Sequence, residues 1–104
     1  MSDVKQRIAE DIKNNKILMY VKGTKQMPQC GFSKTVIDVF EDLGVPFETR
    51  NVLEDPEIRE GVKQFTQWPT IPQIFINGEF VGGCDIIRDL YESGELQKMV
   101  TTAK

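Results

Sequence analysis

The 104-residue sequence contains no histidine. That single absence removes Ser-His and Cys-His catalysis and every His-ligated zinc site at once. Cysteine is scarce as well. Cys30 and Cys84 stand far apart, too few for a four-thiolate metal site in one chain and unlike the disulfide framework of a small secreted domain. No block of Lys or Arg occurs and the formal net charge is −3, so the basic footprint that binds phosphate backbones is missing and nucleic acid is not an expected partner. Long apolar stretches are also missing. The longest run, Ile17-Leu18-Met19-Tyr20-Val21, falls far short of a bilayer span, so no membrane partner is expected. The opening Met-Ser-Asp-Val-Lys-Gln-Arg lacks the apolar core of a secretory signal and carries an acid that transit peptides avoid. Together these absences lead to the expectation of a soluble cytoplasmic protein in a reducing compartment.

What is present suits one domain spanning residues 1–104, with 39% hydrophobic and 28% charged residues. A chain of this size buries about two-thirds of its unfolded surface and needs no metal or disulfide as a staple. Any cofactor is therefore expected to serve function rather than folding.

Val4, Ile8 and Ile12 recur at helical spacing among charged residues and predict an amphipathic helix over about residues 3–14, with Ser2 as its cap. Ile17 to Val21 is short and unalternating, which suits a buried strand ending at Gly23. A loop through Pro28 leads to Cys30. From Phe32 through Val36, Ile37, Phe40 and Leu43 the spacing is helical again, and Gly44 stands at the stop. Cys30 is thus placed at the first turn of a helix that follows a strand.

Pro46 to Val52 reads as a second strand. Asp55-Pro56 caps a third helix carrying Ile58, Val62 and Phe65. Two β-rich runs within Gln73 to Val81 are joined by Asn77-Gly78, a strong hairpin signal. Gly82-Gly83 breaks the second run, Asp85 is expected to cap a helix with Ile86, Ile87, Leu90 and Tyr91, and a last short helix covers Leu96 to Val100 after Gly94. The order implies an α/β fold of the thioredoxin-like kind, a four-stranded mixed sheet flanked by helices on both faces. A redox thiol belongs at the first strand-helix junction of such a fold.

Four blocks now carry a resemblance over nearly the whole chain. Lys22-Gly23-Thr24, Pro28-Gln29-Cys30-Gly31-Phe32-Ser33, Trp68-Pro69-Thr70-Ile71-Pro72-Gln73 and Gly82-Gly83-Cys84-Asp85-Ile86 resemble, in order and spacing, the signature blocks of monothiol glutaredoxins of the Cys-Gly-Phe-Ser type. With no thioredoxin-like domain before these blocks, the chain is similar to the short, single-domain form.

Cys30 precedes a helix whose first N–H groups are unpaired and favour thiolate over thiol, the form that attacks disulfides and binds iron. A dithiol oxidoreductase carries a second cysteine three residues later; here that place is Ser33, so Cys30 depends on an external thiol to complete a redox cycle. A [2Fe-2S] cluster needs four ligands, and this chain offers Cys30 as its one thiolate candidate for metal. The resemblance implies that two chains and two glutathiones together supply the four. The homodimer would then be cluster-bridged and the apo form monomeric.

The resemblance also implies how glutathione is held. Lys22 and Arg59 resemble the family's cations for its glycine-end carboxylate, the alternative for each being a solvated surface charge. Ile71, in the family's cis-proline turn with Pro72, would pair through main-chain atoms with the glutathione cysteine. The Cys84 N–H and the Asp85 carboxylate would receive the γ-glutamyl end. Cys84 also reads as a second thiol ligand, a disulfide partner of Cys30, or a small filler. Phe32 is either core or a wall of the site entrance, and Trp68 is assigned to packing.

The functional expectation is a glutathione-dependent [2Fe-2S] scaffold and carrier that delivers clusters to apo iron-sulfur proteins and contributes to redox homeostasis. The alternative is a glutathione-dependent thiol-disulfide oxidoreductase, at most weakly active, that removes glutathione from protein thiols. A third reading, also from the resemblance, is a sensing module that shares its cluster with a BolA-family protein.

Overall fold

Alternation along the central strand β1 (Ile17–Val21) divides the molecule in two. Ile17, Met19 and Val21 face one hydrophobic cluster, and Leu18 and Tyr20 face another on the opposite side of the sheet. A strand sends successive side chains to opposite faces, so a run that is apolar at every position belongs between two cores. All five residues are buried, each stabilising the fold by about 1.5–3 kcal/mol where the side chain is large and apolar. The structure, a computed structural model, describes residues 2–101, with side chains from Val4 onward. The capping role expected of Ser2 lies outside the described residues' side chains.

Helix α1 (Ser2–Asn14) precedes β1, and α2 (Gly31–Leu43) follows it. Then come β2 (Glu48–Asn51), α3 (Pro56–Thr66), β3 (Gln73–Ile76), β4 (Glu79–Gly82), α4 (Cys84–Ser93) and α5 (Glu95–Thr101). The sheet order is β2-β1-β3-β4, with β1 parallel to β2 and antiparallel to β3, and β3 antiparallel to β4. This is the thioredoxin-like four-stranded mixed sheet, with α2, α4 and α5 contributing to one core and α1 and α3 to the other.

Local chemistry explains the boundaries. Asp55 caps α3 by accepting the N–H groups of Glu57 and Ile58, with Pro56 in the first turn. Asn77 and Gly78 form the tight hairpin turn at φ +55° and +81°. Strand β2 is shorter than the expected span of Pro46 to Val52. Pro46 has no N–H to give to a ladder, and Val45 to Phe47 stay outside it, with Phe47 in the core against Phe40 and its carbonyl accepting from Lys25. At the other end, Gly83 rather than Asp85 occupies the cap of α4, and the helix starts at Cys84. The expected Asp85 cap is therefore corrected: glycine lets the chain turn in directly, and no side chain caps the first amides there.

Candidate functional site

Cys30 is the cap residue of α2, in extended conformation at φ −149° and ψ 137°, so its side chain looks along the axis onto the first turn. The unpaired N–H groups of that turn are the physical cause of its acidity. The Ser33 amide holds the thiol below its ordinary range, opposed by partial burial and aided by the Phe32 amide, the Lys22 charge and the Ser33 hydroxyl. Cys30 is half-buried, open enough to react.

Cys84 behaves in the opposite way. Its side chain is 8% exposed and joins the core beneath α2 and α4. Burial pushes its thiol up, with Asp85 and the sulfur of Cys30 acting in the same direction against Arg88. The two thiols are both free. Cys84 lines the groove from the start of α4.

A groove of about 720 Å³ opens over Cys30. It brings together every site residue expected from the sequence: Lys22, Cys30, Arg59, Ile71, Cys84 and Asp85 all line it. Its charged lining among the described residues is Lys22, Arg59 and Lys63 against Asp85 alone, a positive surface in a chain of net charge −3. An anion that also carries an ammonium group fits that pattern.

Arg59 comes from α3, whose N-terminus is fixed by the Asp55 cap and by the Arg7–Asp55 ion pair at 3.1 Å that ties it to α1. The Arg59 Nε is buried and finds no hydrogen-bond partner among the described residues. A buried guanidinium donor without an acceptor is unfavourable, and a ligand carboxylate in the groove would satisfy it. Asp85 is 87% exposed at its side chain and pairs with Arg88 only at 3.9 Å, which leaves the carboxylate open to a ligand amine as well.

The floor is the segment Trp68 to Pro72. The Ile71–Pro72 bond is cis, as the resemblance implied. Ile71 is buried in the core shared by α1 and α3 and also lines the groove. Gln73, fully buried, organises this segment: its Nε2 donates to the carbonyls of Trp68 and Thr70 at 2.9 and 3.1 Å, and its Oε1 accepts from Thr66 at 2.8 Å.

Three residues have contacts that the sequence reading did not give them. Trp68, assigned there to packing, does pack edge-on against Phe80 but also lines the groove with a buried indole N–H that has no partner among the described residues. Lys63 lines the groove one turn after Arg59, and that helical spacing was the signal that could have found it. Ser33 matters as more than a missing cysteine, since its buried Oγ accepts the Lys22 N–H at 3.0 Å. Phe32 is settled as a wall of the entrance, 60% exposed at the groove edge. Among the described residues no three His, Cys, Asp or Glu side chains cluster as a metal site.

Comparison with known proteins agrees with this geometry. The glutaredoxin family profile matches residues 17–81. A Synechocystis protein described as an uncharacterised monothiol glutaredoxin is 54% identical over 101 residues, covering 97% of this chain and 94% of its own. The solution structure of reduced apo GrxS14 from poplar is 46% identical and superimposes with a TM-score of 0.83 over 94% of this chain and 90% of its own. A buckwheat glutaredoxin crystallised in complex with glutathione gives a TM-score of 0.86 at 25% identity, over 96% and 89% of the two chains. By its sequence, its fold and the thiol at its first strand-helix junction, the chain belongs to the glutaredoxin family, among the monothiol glutaredoxins.

Proposed function

We propose that this monothiol glutaredoxin uses Cys30 and bound glutathione to hold a [2Fe-2S] cluster and pass it to apo iron-sulfur proteins. The observation that carries the reading is the inventory of thiols at the groove: one accessible sulfur at Cys30, held low by the first turn of α2, a hydroxyl at Ser33 where a resolving thiol would stand, and a buried Cys84 whose thiol burial pushes up. A [2Fe-2S] cluster takes four ligands, usually thiolates. One sulfur per chain leaves a deficit that a second chain and two glutathiones make up.

The groove suits that co-ligand. Glutathione presents two carboxylates and an ammonium. Lys22 and Arg59, with Lys63 beside them, offer charge to its glycine end, the Ile71 main chain offers strand-like pairing to its cysteine, and the Cys84 N–H and Asp85 carboxylate offer partners to its γ-glutamyl end. The unpartnered Nε of Arg59 and Nε1 of Trp68 are donors awaiting acceptors there. In this reading the cluster is cargo, the loaded form is a cluster-bridged homodimer of the cytoplasm, the apo form is a monomer, and a BolA-family protein is a further partner able to share the cluster.

The test is the oligomeric state on loading. Anaerobic incubation with iron, sulfide and glutathione should shift sedimentation from monomer to dimer, and removal of iron by a chelator should reverse it. Retention of the monomer under loading would overturn the reading.

A second reading, monothiol deglutathionylation, is favoured by the acidity of Cys30 in an open groove. The Cys30 thiolate attacks the glutathione sulfur of a mixed disulfide and the substrate leaves as its thiolate. A second glutathione then reduces the Cys30-glutathione disulfide, releasing glutathione disulfide. Turnover of a glutathionylated substrate at the rate of a dithiol glutaredoxin would promote this reading over the first.

A further inference from the structure

Residues 23–29 connect Lys22, just after β1, to Cys30, and both of those residues line the groove. The neck of this loop is closed. The Gln29 N–H donates to the Lys22 carbonyl at 2.9 Å, the Gly23 N–H donates to Asn51 Oδ1 at 2.9 Å, and the Gly23 and Pro28 backbones form an antiparallel bridge. Gly23 sits at φ +97°, where a Cβ would come within 2.5 Å of the Met27 carbonyl oxygen. The tip folds on itself as well: the Thr24 N–H donates to the Met27 carbonyl at 3.2 Å and the Met27 N–H to Thr24 Oγ1 at 2.9 Å. These bonds shape residues 24–28 but tie them to nothing beyond the loop.

Lys25 makes that connection. Its ammonium lies 4.4 Å from the centre of the Phe47 ring and donates to the Phe47 carbonyl. Among the described residues it is the one side chain of residues 24–28 with a polar or ring contact outside the loop. Lys25 is half-buried, which strengthens a cation's attraction to a ring face and a carbonyl over its value in open water.

Phe47 is itself fixed. It is buried, and its ring lies 5.9 Å from that of Phe40, a completely buried residue of α2. Helix α2 starts at Gly31, directly after Cys30. The loop that enters Cys30 and the helix that leaves it are therefore fastened to the same aromatic ring. We propose that Lys25 is a positioning residue, which braces this loop against α2 through Phe47 and so keeps the Lys22–Cys30 side of the groove in shape for its ligand. Holding a loop in its ligand-bound arrangement beforehand raises affinity by removing the cost of ordering it on binding.

The brace deepens the glutathione reading and rests on it for its ligand, but its first readout needs none. Amide hydrogen exchange is measured on the parent, Lys25→Met and Lys25→Arg. In Lys25→Met the amides of Thr24, Met27 and Gln29, all engaged in loop hydrogen bonds, should exchange about tenfold faster, while the amides paired between β1 and β3 keep their rates. Lys25→Arg should restore the parent's protection, because a guanidinium also lies over a ring face and donates to a carbonyl. Calorimetry on the same three proteins should then show glutathione bound about threefold to tenfold more weakly by Lys25→Met alone, with the urea midpoints alike. Unchanged loop exchange in Lys25→Met, a loop that arginine does not restore, or a loosened loop with full glutathione affinity would each overturn the proposal. A parent that binds no glutathione counts against the functional reading instead, and the brace is then judged on the exchange rates.

Discussion

A Cβ placed on Gly83 would lie 3.2 Å from both the indole Nε1 of Trp68 and the carbonyl oxygen of Pro72. Two walls of the groove, the start of α4 and the cis-proline segment, thus meet across a gap that only hydrogen fills. Gly83→Ala should push these walls apart by a few tenths of an ångström and misplace the Cys84 N–H. The expected result is a loss of glutathione affinity of about tenfold, equivalent to 1.4 kcal/mol, read by calorimetry. Trp68→Phe removes the N–H together with part of the half-buried indole ring that packs on Phe80, so ligand binding should weaken and the thermal midpoint should fall by a few degrees.

Arg59 separates function from stability in a different way. Its Nε is buried without a partner, a cost to the folded protein that a bound carboxylate repays. Arg59→Leu should therefore weaken glutathione binding by about tenfold to a hundredfold while unfolding at the same urea concentration or higher. A destabilised variant with unchanged binding would show that the guanidinium serves packing alone.

The two thiols should respond to pH in opposite senses. Cys30 is held low by the first-turn amides of α2, so its contribution to stability is present above the pKa of an unfolded thiol and is lost as pH falls through its folded value. Cys84 is held high by burial, so its contribution is present below the unfolded pKa and is lost as pH rises through its folded value. At neutral pH a limiting dose of iodoacetamide should label Cys30 at least about tenfold faster than Cys84, as read by peptide mass spectrometry. Cys84→Ala should flatten the alkaline fall in stability.

Asp55 governs the acid side. The Arg7 guanidinium, and then the amides of Ile58 and Glu57, hold its carboxyl below the usual carboxylate range. Its contribution is present above the pKa of an unfolded aspartate and is lost as pH falls through the lower folded value. Asp55→Asn keeps a capping oxygen and removes the charge. Urea unfolding across a pH series should show the variant less stable at neutral pH and with a shallower acid decline.

Much of this was legible in the sequence because it depends on local pattern. The apolar run at β1, the helical spacing after Cys30, the Asp55-Pro56 cap and the Asn77-Gly78 turn each encode their element within a few residues; five site residues followed from motif blocks placed on those elements, and Arg59 from its place on the third helix. What the pattern missed depends on contacts between distant segments. The Trp68 indole becomes a groove donor only once Phe80 and Gly83 fix its ring. Ser33 acquires its role only when β1 brings the Lys22 amide to its oxygen. Phe65, expected on the apolar face of α3, stands 40% exposed because it lies at the helix end, over a shallow groove beside Ile12, while Ile58 and Val62 take the buried positions.

The most direct test of the central claim is the visible absorption spectrum of protein reconstituted without oxygen in iron, sulfide and glutathione, beside a Cys30→Ser variant. The parent should turn brown with sulfur-to-iron charge-transfer bands that require glutathione, and the variant should stay colourless. A colourless parent, or a variant that keeps the full spectrum, would contradict the account.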